Sequence, residues 1–175
     1  MKRIVLVCGF IAGAIVTAMM LASTIHCYTT KNFEGSMLLG YATMVLAFSM
    51  IFVGVKNFRD KYNQGHVTFG TAFKIGLYIT LVASTMYVVA WLFEYYLFVP
   101  DFMDKYSSHM IDQIRLNGGT QEEIKEETEK MAGWIDMYKN PLVVVVMSYS
   151  EIVPVGVVVS LISAFVLKRK AAEVF

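Results

Sequence analysis

The sequence is short of charge, cysteine and catalytic motifs, and each shortage excludes something. Of 175 residues only 17% are charged while 57% are hydrophobic, with a mean hydropathy of +0.56. Soluble domains average about 25% charge, so this chain lacks the polar surface of one, and its core is expected to be completed by lipid. Fifteen basic residues against fourteen acidic ones leave a formal charge of +1. No basic face is available to hold a nucleic-acid backbone. The two cysteines, Cys8 and Cys27, fall on one expected helix about 28 Å apart at helical rise, too far for an internal disulfide. There is no His-Glu-x-x-His, no Gly-x-Ser-x-Gly, no phosphate-cradling glycine loop and no Cys/His spacing for zinc. An enzyme is not expected, nor is a metal or other cofactor. The twelve methionines follow no repeated spacing and read as core filler.

What the chain has is four long apolar runs, about 4–28, 37–55, 75–99 and 142–167. A span needs about 20 mostly apolar residues, and each run supplies that. Met1-Lys2-Arg3 before the first run imitates a signal peptide, but the run exceeds the usual apolar length and reads as an uncleaved span. Basic residues set the orientation. Lys2 and Arg3, then Lys56, Arg59, Lys61 and Lys74, then Lys168, Arg169 and Lys170 face the cytoplasm. The segment Thr29 to Ser36 sets Lys31 against Glu34, and 101–140 carries nine acids against five bases, a net −4; both face outward. An even number of spans with both termini in the cytoplasm agrees with every segment.

The outer segment 101–140 is patterned as a helical hairpin. Phe102, Met103, Tyr106, Met110 and Ile114 recur at helical spacing, as do Ile124, Thr128, Met131, Ile135 and Tyr138. Asn117-Gly118-Gly119 stops the first arm, and Thr120 with Glu123 forms a capping box for the second. The acid-rich face of that arm reads as solvated, helped by the Glu126 to Lys130 spacing. Pro100 marks the break after span three, and Asn140-Pro141 opens span four. The fold class is therefore all-α: a four-transmembrane-helix bundle with an extracytoplasmic helical hairpin, in one membrane domain over 1–175.

Small residues at helical spacing mark where spans meet in lipid. Gly9 and Gly13 do so in span one, Gly76 and Thr80 in span three, Gly156 and Ser160 in span four. Among polar residues Glu151 stands out, about 15 Å into span four. An acid there costs at least about 2.5 to 3.5 kcal/mol and must face protein or water. Pro154 cannot donate to the Ser150 carbonyl, so Ser148, Ser150 and that carbonyl surround the acid with polar groups. Glu94 ends the inward stripe of span three among Trp91, Tyr95 and Tyr96, where a partly hydrated interfacial carboxylate is expected. His26 lies at similar depth and offers it a partner. Three readings of Glu151 follow: a lock between helices, part of a proton or cation relay His26, Glu94, Glu151, or a ligand-binding group. His66 and His109 read as solvated.

Several stretches also carry a resemblance. They are KRIVLVCGFIAGAI from Lys2, LLGYATMVLAFSMIFVGVKNFRDKYNQG from Leu38, TFGTAFKIG from Thr68, LFVPDFMDKY from Leu97, MYKNPL from Met137 and EIVPVG from Glu151. Together they resemble a bacterial family of four-span membrane proteins, domain of unknown function 4199. The resemblance implies an inner-membrane location and the same order of spans and loops, and brings no activity or site residues with it. The expected role is a non-enzymatic scaffold, assembly or accessory factor whose partner is another envelope membrane protein or a second copy. The alternative is a small transporter or ion-coupling subunit using Glu151, which a cavity reaching that residue would favour.

Overall fold

The computed structural model describes residues 1–31, 33 and 37–169; Glu34, Ser36 and Lys170, used above to weigh loop charge, lie outside them. Helix α1 (Lys2–Thr30) is an unbroken apolar helix closed by Lys31 in the left-handed conformation, φ 56°. Span two is built from α2 (Met37–Phe48), α3 (Met50–Asn57) and a π-helical turn, Phe58–Tyr62. The two α-helices meet at Ser49, whose hydroxyl donates back to the Leu46 carbonyl at 2.6 Å, a local bond that bends helices. Helix α4 (Phe69–Phe93) starts under the Thr68 cap and runs into a second π-helical turn, Glu94–Phe98. Pro100 then stops it, because the residue before a proline is pushed out of the helical region; Val99 sits at φ −133°.

Helix α5 (Phe102–Leu116) ends in a Schellman motif. Gly119 N donates to Ile114 O and Gly118 N to Arg115 O, with Gly118 at φ +78°, a conformation glycine supplies without steric cost. Thr120 caps α6 (Gln121–Tyr138) through a full capping box with Glu123. On its polar face Lys130 pairs with Glu127 at 3.1 Å rather than with Glu126. Asn140 caps α7 (Pro141–Leu167), which continues through Pro154. Four apolar helical stretches are long enough to cross a bilayer: Lys2–Thr30, Leu38–Tyr62, Phe69–Phe98 and Pro141–Leu167. Among the described residues there is no strand, only one antiparallel bridge between Val67 and Arg169.

The bundle is organised around α4, which packs along α1 on one side and α7 on the other. Close approach is made possible by glycine. A Cβ at Gly9 would lie 2.7 Å from Val82, and one at Gly13 2.7 Å from the Met86 sulfur. On the other side, a Cβ at Gly76 would lie 2.6 Å from Ser160 Oγ, and one at Gly156 would overlap Thr80. The Thr80 and Ser160 hydroxyls are buried and 3.5 Å apart. All six small residues singled out from the sequence thus lie at these two seams. Contact order along the seams makes α1 and α4 parallel and α7 antiparallel to α4. One end of the bundle therefore carries residues 1–3, 56–68 and 167–169, and the other carries α5 and α6.

At the first end Arg59 donates to the Leu167 carbonyl at 3.4 Å, and the Val67–Arg169 bridge ties the loop before α4 to the end of α7. Large apolar side chains that the bundle leaves uncovered, such as Leu46 at 65% and Val166 at 66% exposure, form an outer shell suited to lipid tails.

Candidate functional site

Span two does not follow the central helix along its whole length. Helix α3 packs on α1, α4 and α7, with Gly54 letting it come close to Ile79 and Cys8 and with Ile51 and Val55 fully buried. Helix α2, beyond the break at Ser49, packs chiefly on α1 and α7. The half of the bundle beside α5 and α6 consequently holds a cavity of about 310 Å³ between α2 and α4. Gly40 marks the gap: a Cβ there would meet nothing within 4 Å.

Five elements besides α2 line this space. Tyr87 and Trp91 come from α4, Thr24 from α1, Ser148 and Glu151 from α7. Phe102 of α5 and Tyr138 of α6 complete the lining at the α5–α6 end, and Phe102 meets Trp91 edge to face at 5.4 Å between ring centres. Glu151 is the one carboxylate among the lining residues. Tyr87 stands within electrostatic reach of both Glu151 and Glu94. Burial first, and then the Glu151 charge, push the Tyr138 phenol above its ordinary value; its backbone carbonyl accepts from the Tyr96 hydroxyl at 2.9 Å.

Three of the hydroxyls in the wall donate within their own helices. Thr24 Oγ1 donates to Met20 O at 3.2 Å, Thr43 Oγ1 to Leu39 O at 2.8 Å, and Ser148 Oγ to Val144 O at 2.8 Å. The lone pairs of these oxygens stay available to a neighbour.

The sequence-derived residues divide accordingly. Glu151 and Ser148 line the cavity together. Ser150 is exposed and donates to Met147 O at 2.7 Å; Pro154 is exposed and does not line the cavity, although it leaves the Ser150 carbonyl without its helical donor. Glu94 is not the hydrated interfacial acid expected from its aromatic neighbours. It is 6% exposed, and its Oε2 is buried with no hydrogen-bond partner; Thr24 lies beside its carboxyl. The cause is position: Glu94 continues the inward face of α4 into the π-helical turn, while Phe93 and Tyr96 turn outward. His26 does not join it. Two residues past Thr24 is about 200° around the helix, and His26 is exposed and absent from the cavity wall. The chain His26, Glu94, Glu151 is therefore not assembled; Thr24 and Tyr87 occupy the space between the two acids. The aromatic residues Tyr87, Trp91 and Tyr138 were the missed part of the site, since singly each reads as packing or as an interfacial ring.

A second polar cluster joins α1 to α5. Tyr28 donates to Asp101 Oδ1 at 2.6 Å, Lys105 pairs with Asp101 Oδ2 at 2.7 Å, and its ammonium lies 4.1 Å from the Tyr28 ring centre. Lys105 first, and Tyr28 second, hold the Asp101 carboxyl below its ordinary range. Phe33 packs edge-on against Tyr28 and Phe102 and tilts toward His109. His109 and His66 are half-buried, with Nε2 and Nδ1 respectively lacking a partner, so neither is simply solvated. Among the described residues no group of three His, Cys, Asp or Glu side chains is arranged to hold a metal ion.

No curated protein and no solved structure matches the chain. The model of one family, described as a protein of unknown function (DUF4199), matches residues 8–169. The match covers most of the chain and all four apolar helices in whole or large part, and the chain belongs to that family.

Proposed function

We propose that this protein is a small transporter or ion-coupling subunit of the bacterial inner membrane, non-enzymatic, with both termini in the cytoplasm and 101–140 outside. The observation that carries this reading is the cavity that reaches Glu151. An acid kept in a membrane helix purely as a lock belongs in a closed helix seam, as Thr80 and Ser160 are here; Glu151 instead borders open space. Intramembrane acids beside such space serve ion or substrate pathways. The glycine-packed half around Gly54, Gly76 and Gly156 closes the bundle below the cavity.

The test is flux in proteoliposomes under an imposed pH gradient. The parent protein is expected to carry a flux that Glu151→Gln abolishes while the purified variant keeps its helical content and monodispersity. Equal flux in both, or none in the parent, sinks the reading.

A scaffold or assembly role is the second reading, favoured by α6. Among its described side chains Met131 is the buried one, so most of its surface is left for another envelope protein. A partner that co-purifies with the full chain and is lost when the α5–α6 segment is deleted supports that role.

A further inference from the structure

We propose that the cavity between α2 and α4 binds a small hydrophobic organic cation, of the aryl- or alkylammonium class, with Glu151 as its counter-charge. This inference rests on the reading of the Glu151 cavity as a ligand site and names what enters it. Sixteen residues line the space, and they include one carboxylate and no Lys, Arg or His. An anion would find nothing of opposite charge there. The hydroxyls of Thr43 and Ser148 donate to carbonyls of their own helices, so toward the cavity they accept. The Ser23, Tyr87 and Tyr138 hydroxyls of the same wall can donate as well as accept, so it is the lone carboxylate that selects for a cation.

The rest of the lining decides between an inorganic and an organic cation. Divalent and transition-metal ions are usually held by several carboxylate, imidazole or thiolate side chains, and no group of three such side chains exists among the described residues. The remaining surface is aromatic and polarizable: the rings of Tyr87, Trp91, Phe102 and Tyr138 and the thioethers of four methionines, Met20 and Met147 among them. Ring faces attract alkylammonium groups without stripping a tightly held water shell, and methionine adapts to irregular apolar shapes. At about 310 Å³ the space is at the low end of small-molecule sites, which suits a one-ring amine.

The experiment compares two molecules of one shape, benzyltrimethylammonium and its uncharged carbon isostere neopentylbenzene. Binding to the full chain in nanodiscs is followed by the fluorescence of Trp91 in a Trp134→Phe background. The cation is expected to bind at least about tenfold more tightly than the isostere, and Glu151→Gln is expected to bring the two together. Gly40→Phe, at a position where an added Cβ meets nothing within 4 Å, places a ring in the gap beside α2 and is expected to remove binding of both, which covers the case of a Glu151 variant that does not fold. Equal affinity of the two molecules for the parent, a cation preference that survives Glu151→Gln, or binding unchanged by Gly40→Phe overturns the inference. The flux assay separates the two readings. A Glu151-dependent proton flux with no preference for the cation overturns the ligand class alone, whereas cation binding that depends on Glu151 without any flux removes transport and retains the ligand class.

Discussion

Glu94 and Glu151 are both carboxyls in apolar helices, but their surroundings differ, and so do the arguments for their presence. Glu151 borders a cavity and has room for water or a ligand. Glu94 is enclosed, with one oxygen lacking any hydrogen bond, an arrangement that costs stability because a buried polar atom has lost water and gained nothing. A residue kept at such a cost has a use beyond folding. The expected result follows: Glu94→Met, close in shape and without polar oxygens, raises the thermal unfolding midpoint of the purified protein. A lowered midpoint means the carboxyl is held by bonds worth more than its desolvation, and removes the argument. Glu151 was legible in the sequence because it is the one acid in a run otherwise free of charge. The burial of Glu94 was not, because Trp91, Tyr95 and Tyr96 are residues that an interfacial belt and a cavity wall use alike, and only the helix direction past Phe93 tells them apart.

At the level of elements, spans and caps were written locally and therefore legibly. Twenty apolar residues, Thr120 three before Glu123, and Asn140 before Pro141 each specify their structure from neighbours in the chain. The divergence of α2 from α4 was not written locally. It depends on how Ser49 bends span two and on which glycines meet which partner, both tertiary facts. The same holds for the Tyr28, Asp101 and Lys105 cluster, in which Tyr28 lies more than seventy residues from the other two. That cluster fixes the start of α5, and Phe102 one residue on from Asp101 lies over the cavity against Trp91, so loosening it opens the end of the site. Asp101 has a folded pKa below its unfolded value of about 3.9. Its contribution is thus fully present above that unfolded value and is lost as pH falls through the folded one. Trp91 emission in the Trp134→Phe background is expected to stay constant from neutral pH down to about pH 5 and to shift red only in stronger acid. In Asp101→Asn it is expected to be red-shifted already at neutral pH and insensitive to acid over the same range. Identical profiles for the two proteins mean that α5 is held by its apolar contacts alone.

For the whole molecule the decisive property is the asymmetry of its two ends. The parallel run of α1 with α4 and the antiparallel run of α7 gather Lys2, Arg3, Lys56, Arg59, Lys61, Lys168 and Arg169 at one end, while the other carries the net −4 of 101–140. Short basic segments resist translocation across the cytoplasmic membrane, and acids scarcely affect it, so the basic end should stay inside. The cavity then opens in the outer half, and a cation would reach Glu151 from outside, past a surface of negative charge that raises its local concentration. Orientation therefore decides the direction of any uptake or efflux, and a labelling experiment reads it. In a background of Cys8→Ala and Cys27→Ala, a membrane-impermeant maleimide is expected to label Gln121→Cys in intact cells and Lys61→Cys only after permeabilisation, both positions being exposed. The reverse pattern turns the bundle over and puts the cavity in the cytoplasmic half; labelling of both in intact cells means a mixed orientation, which the charge difference between the ends argues against.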